Sequence, residues 1–181
     1  MSGKDICDIK HGHYIAKLIV SFVRTHFIVI DLTIHSELVE AATLTRKQLE
    51  LLARLNELRK AESVEDILKR TPNMSSLQTK IKALYGSLSE ITHSATPQPL
   101  ELLGSVDVQN GSMTPVYPEF SEHAYTSLSH IALSVLEYFF WADKFFIENF
   151  KDYDTLWSSE WILRAAQAYE AIISTEPVVH V

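Results

Sequence analysis

Tyr85, Ser89 and His93 recur every fourth residue in the run Leu84-Tyr85-Gly86-Ser87-Leu88-Ser89-Glu90-Ile91-Thr92-His93. On a helix that spacing sets a phenol, a hydroxyl and an imidazole in one line. Three chemistries use such groups. Ser89 and His93 have the types of a nucleophile and its base, but no glycine-rich elbow and no third partner accompanies them. Glu90 and His93 form a Glu-x-x-His pair, and a di-metal carboxylate bundle needs two such pairs plus two further glutamates. Glu119, Glu122 and His123 stand at a helix start and do not supply the second copy. The third chemistry is the holding of a ligand or a neighbouring helix. With Leu77, Ile81, Leu84, Leu88 and Ile91 at the centre of a buried face, Lys82, Tyr85, Ser89 and His93 fall along its edge. Half-buried edges are where a histidine is tuned and a tyrosine hydroxyl is held. The pattern implies no metal and no cofactor.

A second polar set precedes it. Arg46, Glu50 and Arg54 form an i, i+4 ladder on a segment whose Leu44, Leu51, Leu52, Leu55 and Leu58 share another face. Exposed pairs of this kind contribute only about 0.3–0.5 kcal/mol each, which suits a solvated face. Arg54 lies nearest the apolar margin, so it is the arginine expected to meet the Tyr85, Ser89 and His93 line. A third set, His123, His130, Glu137 and Lys144, repeats every seven residues. Seven helical residues rise about 10.5 Å, too far for His123 and His130 to share one metal ion. A polar stripe facing solvent or another helix is expected there, with His130, Ser134 and Glu137 able to face His93.

These residues need helices to position them. Periodicity and breakers predict a long helix from about His11 to Val39 and a second from Thr43 or Thr45 to about Ala61. A short helix follows, capped by Ser63 and ending before Thr71-Pro72-Asn73, and then the helix with the opening residues, from Ser75 or Ser76 to Pro97 and Pro99. Residues 95–120 hold four of the six prolines and read as a long loop. The Asn110-Gly111 pair within it permits a small β-hairpin. Ser121 to Phe150 and Thr155 to Ser174 form the last two helices, with Trp157, Trp161, Ala165 and Tyr169 as packing candidates. The expected fold class is therefore all-α: a single-domain helical bundle, residues 1–181, of about five helices plus a short one.

Composition narrows the function classes. The 181 residues are 46% hydrophobic and 22% charged, within the ordinary globular range. Cys7 is the only cysteine, so neither an internal disulfide nor a cysteine metal site is available. The first ten residues lack the apolar core of a secretory signal, which points to the cytoplasm. Tyr14 to Ile34 is strongly apolar, but Lys17, Arg24 and Asp31 interrupt it every seven residues. Each centrally placed charge costs roughly 2.5–3.5 kcal/mol in a bilayer, so a buried helix with one polar stripe is expected rather than a membrane span. Net charge is −7, unfavourable for nonspecific nucleic-acid binding. Residues 46–82 nevertheless hold nine basic against five acidic side chains, while residues 83–181 hold three against thirteen. A basic patch for a small anionic ligand or RNA, or charge-complementary self-association, is consistent with that split.

The segment from Arg46 to Leu55, followed by the string from Leu84 to His93, resembles paired helices of uncharacterised bacterial helical proteins similar to the HEPN (higher eukaryotes and prokaryotes nucleotide-binding) superfamily. The likeness covers about fifty residues and rests on the Leu-Tyr-x-x-Leu-Ser-x-x-x-His string with Glu50 and Arg54. It implies a helical bundle, often homodimeric, among which are ribonucleases and partners in toxin-antitoxin and phage-defence systems. Carried onto this chain, a metal-independent ribonuclease would use His93 as general acid or base and Arg54 as phosphate stabiliser. Tyr85, Ser89, Lys82 and Glu50 would then line the ligand. The superfamily's nuclease motif is an arginine followed by four to six residues and then a histidine, and no arginine here has a histidine at that separation. The resemblance therefore leaves a non-catalytic binding or interaction protein as the first expectation.

Overall fold

The apolar run that reads as one helix from His11 to Val39 is broken at Ser36. The computed structural model describes residues 5–77, 81–93, 106–107, 112–113 and 123–175. In it α1 spans Gly12–Ile34 and α2 spans Leu38–Lys60. Ser36 adopts a left-handed backbone with φ 60°. Its N–H donates to the Thr33 carbonyl at 3.1 Å, and the Glu37 N–H donates to the Leu32 carbonyl at 2.9 Å. These two bonds close a Schellman motif, the usual helix stop built on a left-handed residue. Glycine normally occupies that position because other residues pay about 1 kcal/mol or more there. A serine does so here, so no glycine or proline marked the break. The second helix consequently starts near Leu38 rather than at Thr43 or Thr45.

α2 is the central element. Twelve of its 23 residues are buried, among them Leu49, Leu52, Leu55 and Leu58, because α1 and the later helices Lys82–His93 and His123–Asn149 all pack against it. α3 (Val64–Leu68) and a 3-10 turn at Met74–Ser76 precede α4 (Lys82–His93), so the fourth helix begins later than Ser75 or Ser76. α5 (His123–Asn149) packs on α1, α2 and α6 (Thr155–Thr175). The shared core joins Ile15, Leu18 and Phe22 of α1 to Leu88 of α4 and to Trp141 and Phe145 of α5. Val106–Asp107 pairs antiparallel with Ser112–Met113. The Asn110-Gly111 pair, the Pro97 and Pro99 stop, Glu119 and Glu122 lie outside the described residues.

Aromatic side chains face several ways from α5 because it is covered on several sides. Phe22 stacks on Tyr138 at 4.7 Å, and Trp141 on Phe145 at 5.0 Å; offset contacts of this type add about 0.5–1.5 kcal/mol beyond area burial. α6 differs from the expectation. Trp157 is 57% and Trp161 39% exposed, while Ala165 and Tyr169 are half-buried. Among the described residues no helix is long and apolar enough to cross a membrane.

Candidate functional site

α2 and α4 run antiparallel: Arg46 near the start of α2 reaches His93 at the end of α4, while Ser76, ahead of α4, donates to the Ala53 carbonyl at 3.1 Å. This places Glu50 opposite Tyr85, whose hydroxyl donates to the Glu50 carboxylate at 2.9 Å. The same phenol oxygen accepts from Arg46 Nη2 at 3.2 Å. Arg46 also pairs with Glu50 at 3.3 Å, and its guanidinium stands 5.2 Å from the centre of the Tyr85 ring. Its other terminal nitrogen, Nη1, lies 3.2 Å from His93 Nε2. A guanidinium can only donate, so in that contact His93 Nε2 is the accepting atom.

The seam thus joins one cation, one anion, a phenol and an imidazole, and it leaves Arg46 Nε buried without a hydrogen-bond partner among the described residues. Arg46 and Glu50 are half-buried, and His93 is exposed. Tyr85 both donates and accepts, which satisfies its hydroxyl. Lys82 does not join. It is exposed, and its ammonium donates to Ser75 at 3.5 Å. Ser89 is half-buried and makes no hydrogen bond to the seam side chains among the described residues. Glu90 is exposed. The described residues contain no group of three or more histidine, cysteine or acidic side chains able to hold a metal ion.

Arg54 is not the seam arginine. Eight residues beyond Arg46, it lies about 12 Å further along α2. It turns into a separate and sealed network, where its side chain is 8% exposed. It donates to Glu57 at 2.9 Å, to the Ile67 carbonyl at 2.7 Å and to the Arg70 carbonyl at 2.6 Å. Those carbonyls lie at the end of α3, and a cation at a helix C-terminus complements the partial negative charge there. Five residues cannot sustain a helix alone, since nucleation outweighs so few bonds; the arginine supplies the missing anchor. Glu57 completes the pin by accepting from Arg70 at 3.1 Å and from the Asn73 backbone N–H at 3.2 Å.

The seven-residue stripe also differs from a simple polar face. Glu137 is fully buried, His130 half-buried, and His123 and Lys144 exposed. Ser134 faces Gln48 of α2 at 3.4 Å rather than His93. His123 and His130 line a pocket of about 80 Å³ together with Leu88 and Ile91 of α4. Elsewhere, burial lowers the pKa of His26, whose Nδ1 is sealed without a hydrogen-bond partner among the described residues. Burial also raises the pKa of Tyr138.

Glu57 is the residue that the sequence reading passed over, and Arg46, named there in the ladder, was not the arginine expected at the seam. Arg46 and Arg54 occupy the same ladder, and only the register of α4 against α2 decides which one meets Tyr85. Glu57, three residues after Arg54, offered an i, i+3 partner in competition with Glu50. Comparison of the chain with family models, curated proteins and solved structures gave no match.

Proposed function

We propose that the chain is a non-catalytic binding or interaction protein, a helical bundle that works as a homodimer and in which the seam latches α4 to α2. One observation carries this reading: the Arg46 guanidinium is already engaged by Glu50, Tyr85 and His93, and Arg54 is sealed within the pin. A phosphate-stabilising cation must aim its donors at the space where charge develops. A general base needs its nitrogen within reach of a substrate proton. Neither condition is met by groups that face each other. The likeness to HEPN-type bundles suggests a setting for such a protein, as the partner component of a bacterial toxin-antitoxin or phage-defence system.

A second reading, metal-independent RNA cleavage by His93, is favoured by one fact. His93 is exposed and lies within 3.2 Å of a guanidinium, so Arg46 would take the phosphate role first given to Arg54. Incubating purified protein, His93→Ala and Arg46→Ala with total RNA in the presence of a chelator separates the two. The expected result is intact RNA in every tube. Cleavage by the parent protein that disappears in both variants would establish the ribonuclease instead.

A further inference from the structure

α1 carries two apolar faces, and only one of them lies wholly in the core. Ile15, Leu18, Phe22 and Val29 are buried. On the opposite side Val20, Val23, Phe27 and Ile34 are 56%, 39%, 69% and 68% exposed, with Ile30 half-buried between them and packed against the Val29, Ala41 and Ile131 cluster. Their intervals are three, four, three and four residues, the a/d spacing by which one helix packs along another. No described helix is apolar enough to cross a membrane, and such a stripe is costly to keep in water. Exposed apolar residues scattered singly need no explanation, but a continuous row on one helix does.

The charges beside the stripe indicate what covers it. Arg24 and Asp31, both exposed, stand seven residues apart along its edge, at equivalent heptad positions and with opposite sign. Asp31 has one exposed neighbour, His35, at 3.6 Å. Against an antiparallel copy of the same helix, Arg24 faces Asp31 of that copy, and Asp31 faces its Arg24. The midpoint of the two falls beside Phe27, which is exposed on the stripe, so the centre of the contact is apolar and the charges form its rim, as in specific interfaces. A parallel copy would set the same charges opposite the positions of Ile19, His26 and Thr33, which supply no carboxylate and no guanidinium. α6 also exposes apolar side chains, of which Leu156 and Leu163 stand seven residues apart, but Glu160 and Arg164 beside them already pair with each other at 2.6 Å within the one helix.

We propose that α1 is the homodimer interface, its outer stripe packing antiparallel on that of a second copy about a two-fold axis near Phe27. Self-complementarity of this kind is what a two-fold contact requires, because each patch must recognise itself. The exposed stripe presents on the order of 450 Å² of apolar surface per copy, so pairing removes about 900 Å² from water, the size of a weak, reversible interface. This inference rests on the reading of the chain as an interaction protein and names the surface and the partner.

Sedimentation equilibrium of the full chain up to about 100 μM tests it, a range that covers the micromolar affinity of modest interfaces. The parent protein is expected to be a dimer. Phe27→Glu should raise its dissociation constant by about a hundredfold or more, with an unchanged helical circular dichroism spectrum because the side chain is exposed. Arg24→Asp should raise it about tenfold, since the symmetry counts every change twice. Adding Asp31→Arg to that variant should restore it, which a merely structural role for either residue would not produce. A monomer throughout the range overturns the proposal and leaves the stripe to a different partner. A dimer indifferent to Phe27→Glu, or a charge-swapped pair that fails to recover, also overturns it, and the interaction reading would then stand with its surface elsewhere. The RNA assay reports on that broader reading independently of either result.

Discussion

Arg46 and Arg54 lie on one helix, two turns apart, and their surroundings make opposite uses of the same side chain. At the pin, Arg54 and Glu57 are 8% and 6% exposed, and the Ile67 and Arg70 backbone carbonyls also accept from the guanidinium. At the seam, Arg46 and Glu50 are 21% and 33% exposed, and the partners are side chains of another helix. A sealed arginine that organises backbone fixes the path of the chain; a half-open one that meets a phenol and an imidazole adjusts how two finished helices sit together. The difference teaches that burial, more than residue type, decides whether an ion pair is structural.

The comparison can be broken most directly at the pin. Arg54→Met should destabilise the fold by about 3–5 kcal/mol in urea unfolding, because Glu57 is left as a buried carboxylate with one of its cations gone. Pairing it with Glu57→Leu should recover most of that loss, since the cost comes from the stranded charge. A loss below about 1 kcal/mol for the single change would reduce the pin to an ordinary surface pair. At the seam, Tyr85→Phe and Arg46→Ala should each cost only about 1 kcal/mol, the net value of a typical hydrogen bond. Raising salt to 1 M, where the Debye length falls to about 3 Å, should shrink the Arg46 effect and leave the Arg54 effect intact. Equal salt sensitivity at both sites would erase the distinction.

The smallest expected effect comes from a group outside both networks and gives the comparison a baseline. Burial holds His26 below its ordinary pKa in the folded chain, while the unfolded chain takes up the proton near the ordinary value of 6.5. Below that value the unfolded state binds more protons than the folded state, so stability is complete above it and declines as pH falls toward the folded-state pKa. His26→Phe should remove this decline in thermal melts collected from neutral to acidic pH. The ring already stacks near Phe22 at 6.4 Å, which leaves room for the replacement to pack. Persistence of the full slope in the variant would assign it to another group.

Much of the architecture was legible in the residues. Heptad and i, i+4 patterns announced α5 and α6 within a few residues of their ends, and the buried line of Leu77, Ile81 and Leu88 correctly put Tyr85 at an edge. The Schellman stop was hidden because serine holds a conformation that sequence reading assigns to glycine. The identity of the seam arginine was hidden for a different reason. Arg46 and Arg54 are equivalent by periodicity, and the choice between them depends on how far α4 is shifted along α2, a quantity set by the 61–77 connection and by the pin that anchors it. Local spacing specified which faces exist; only tertiary register specified which faces meet.

The turn at Ser36 has a consequence in time as well as in space. By folding the apolar run back on itself within three residues, His35 to Glu37, it makes α1 and α2 neighbours in sequence as well as in structure. Contacts between sequence neighbours need little loop closure and form early, whereas those joining α2 to α5 must wait for the chain from residue 94 to 122 to be gathered in. Pulse-labelled hydrogen exchange during refolding should therefore find the amides of α1 and α2 protected ahead of those of α5. The central helix would then serve as the template on which the rest of the bundle condenses.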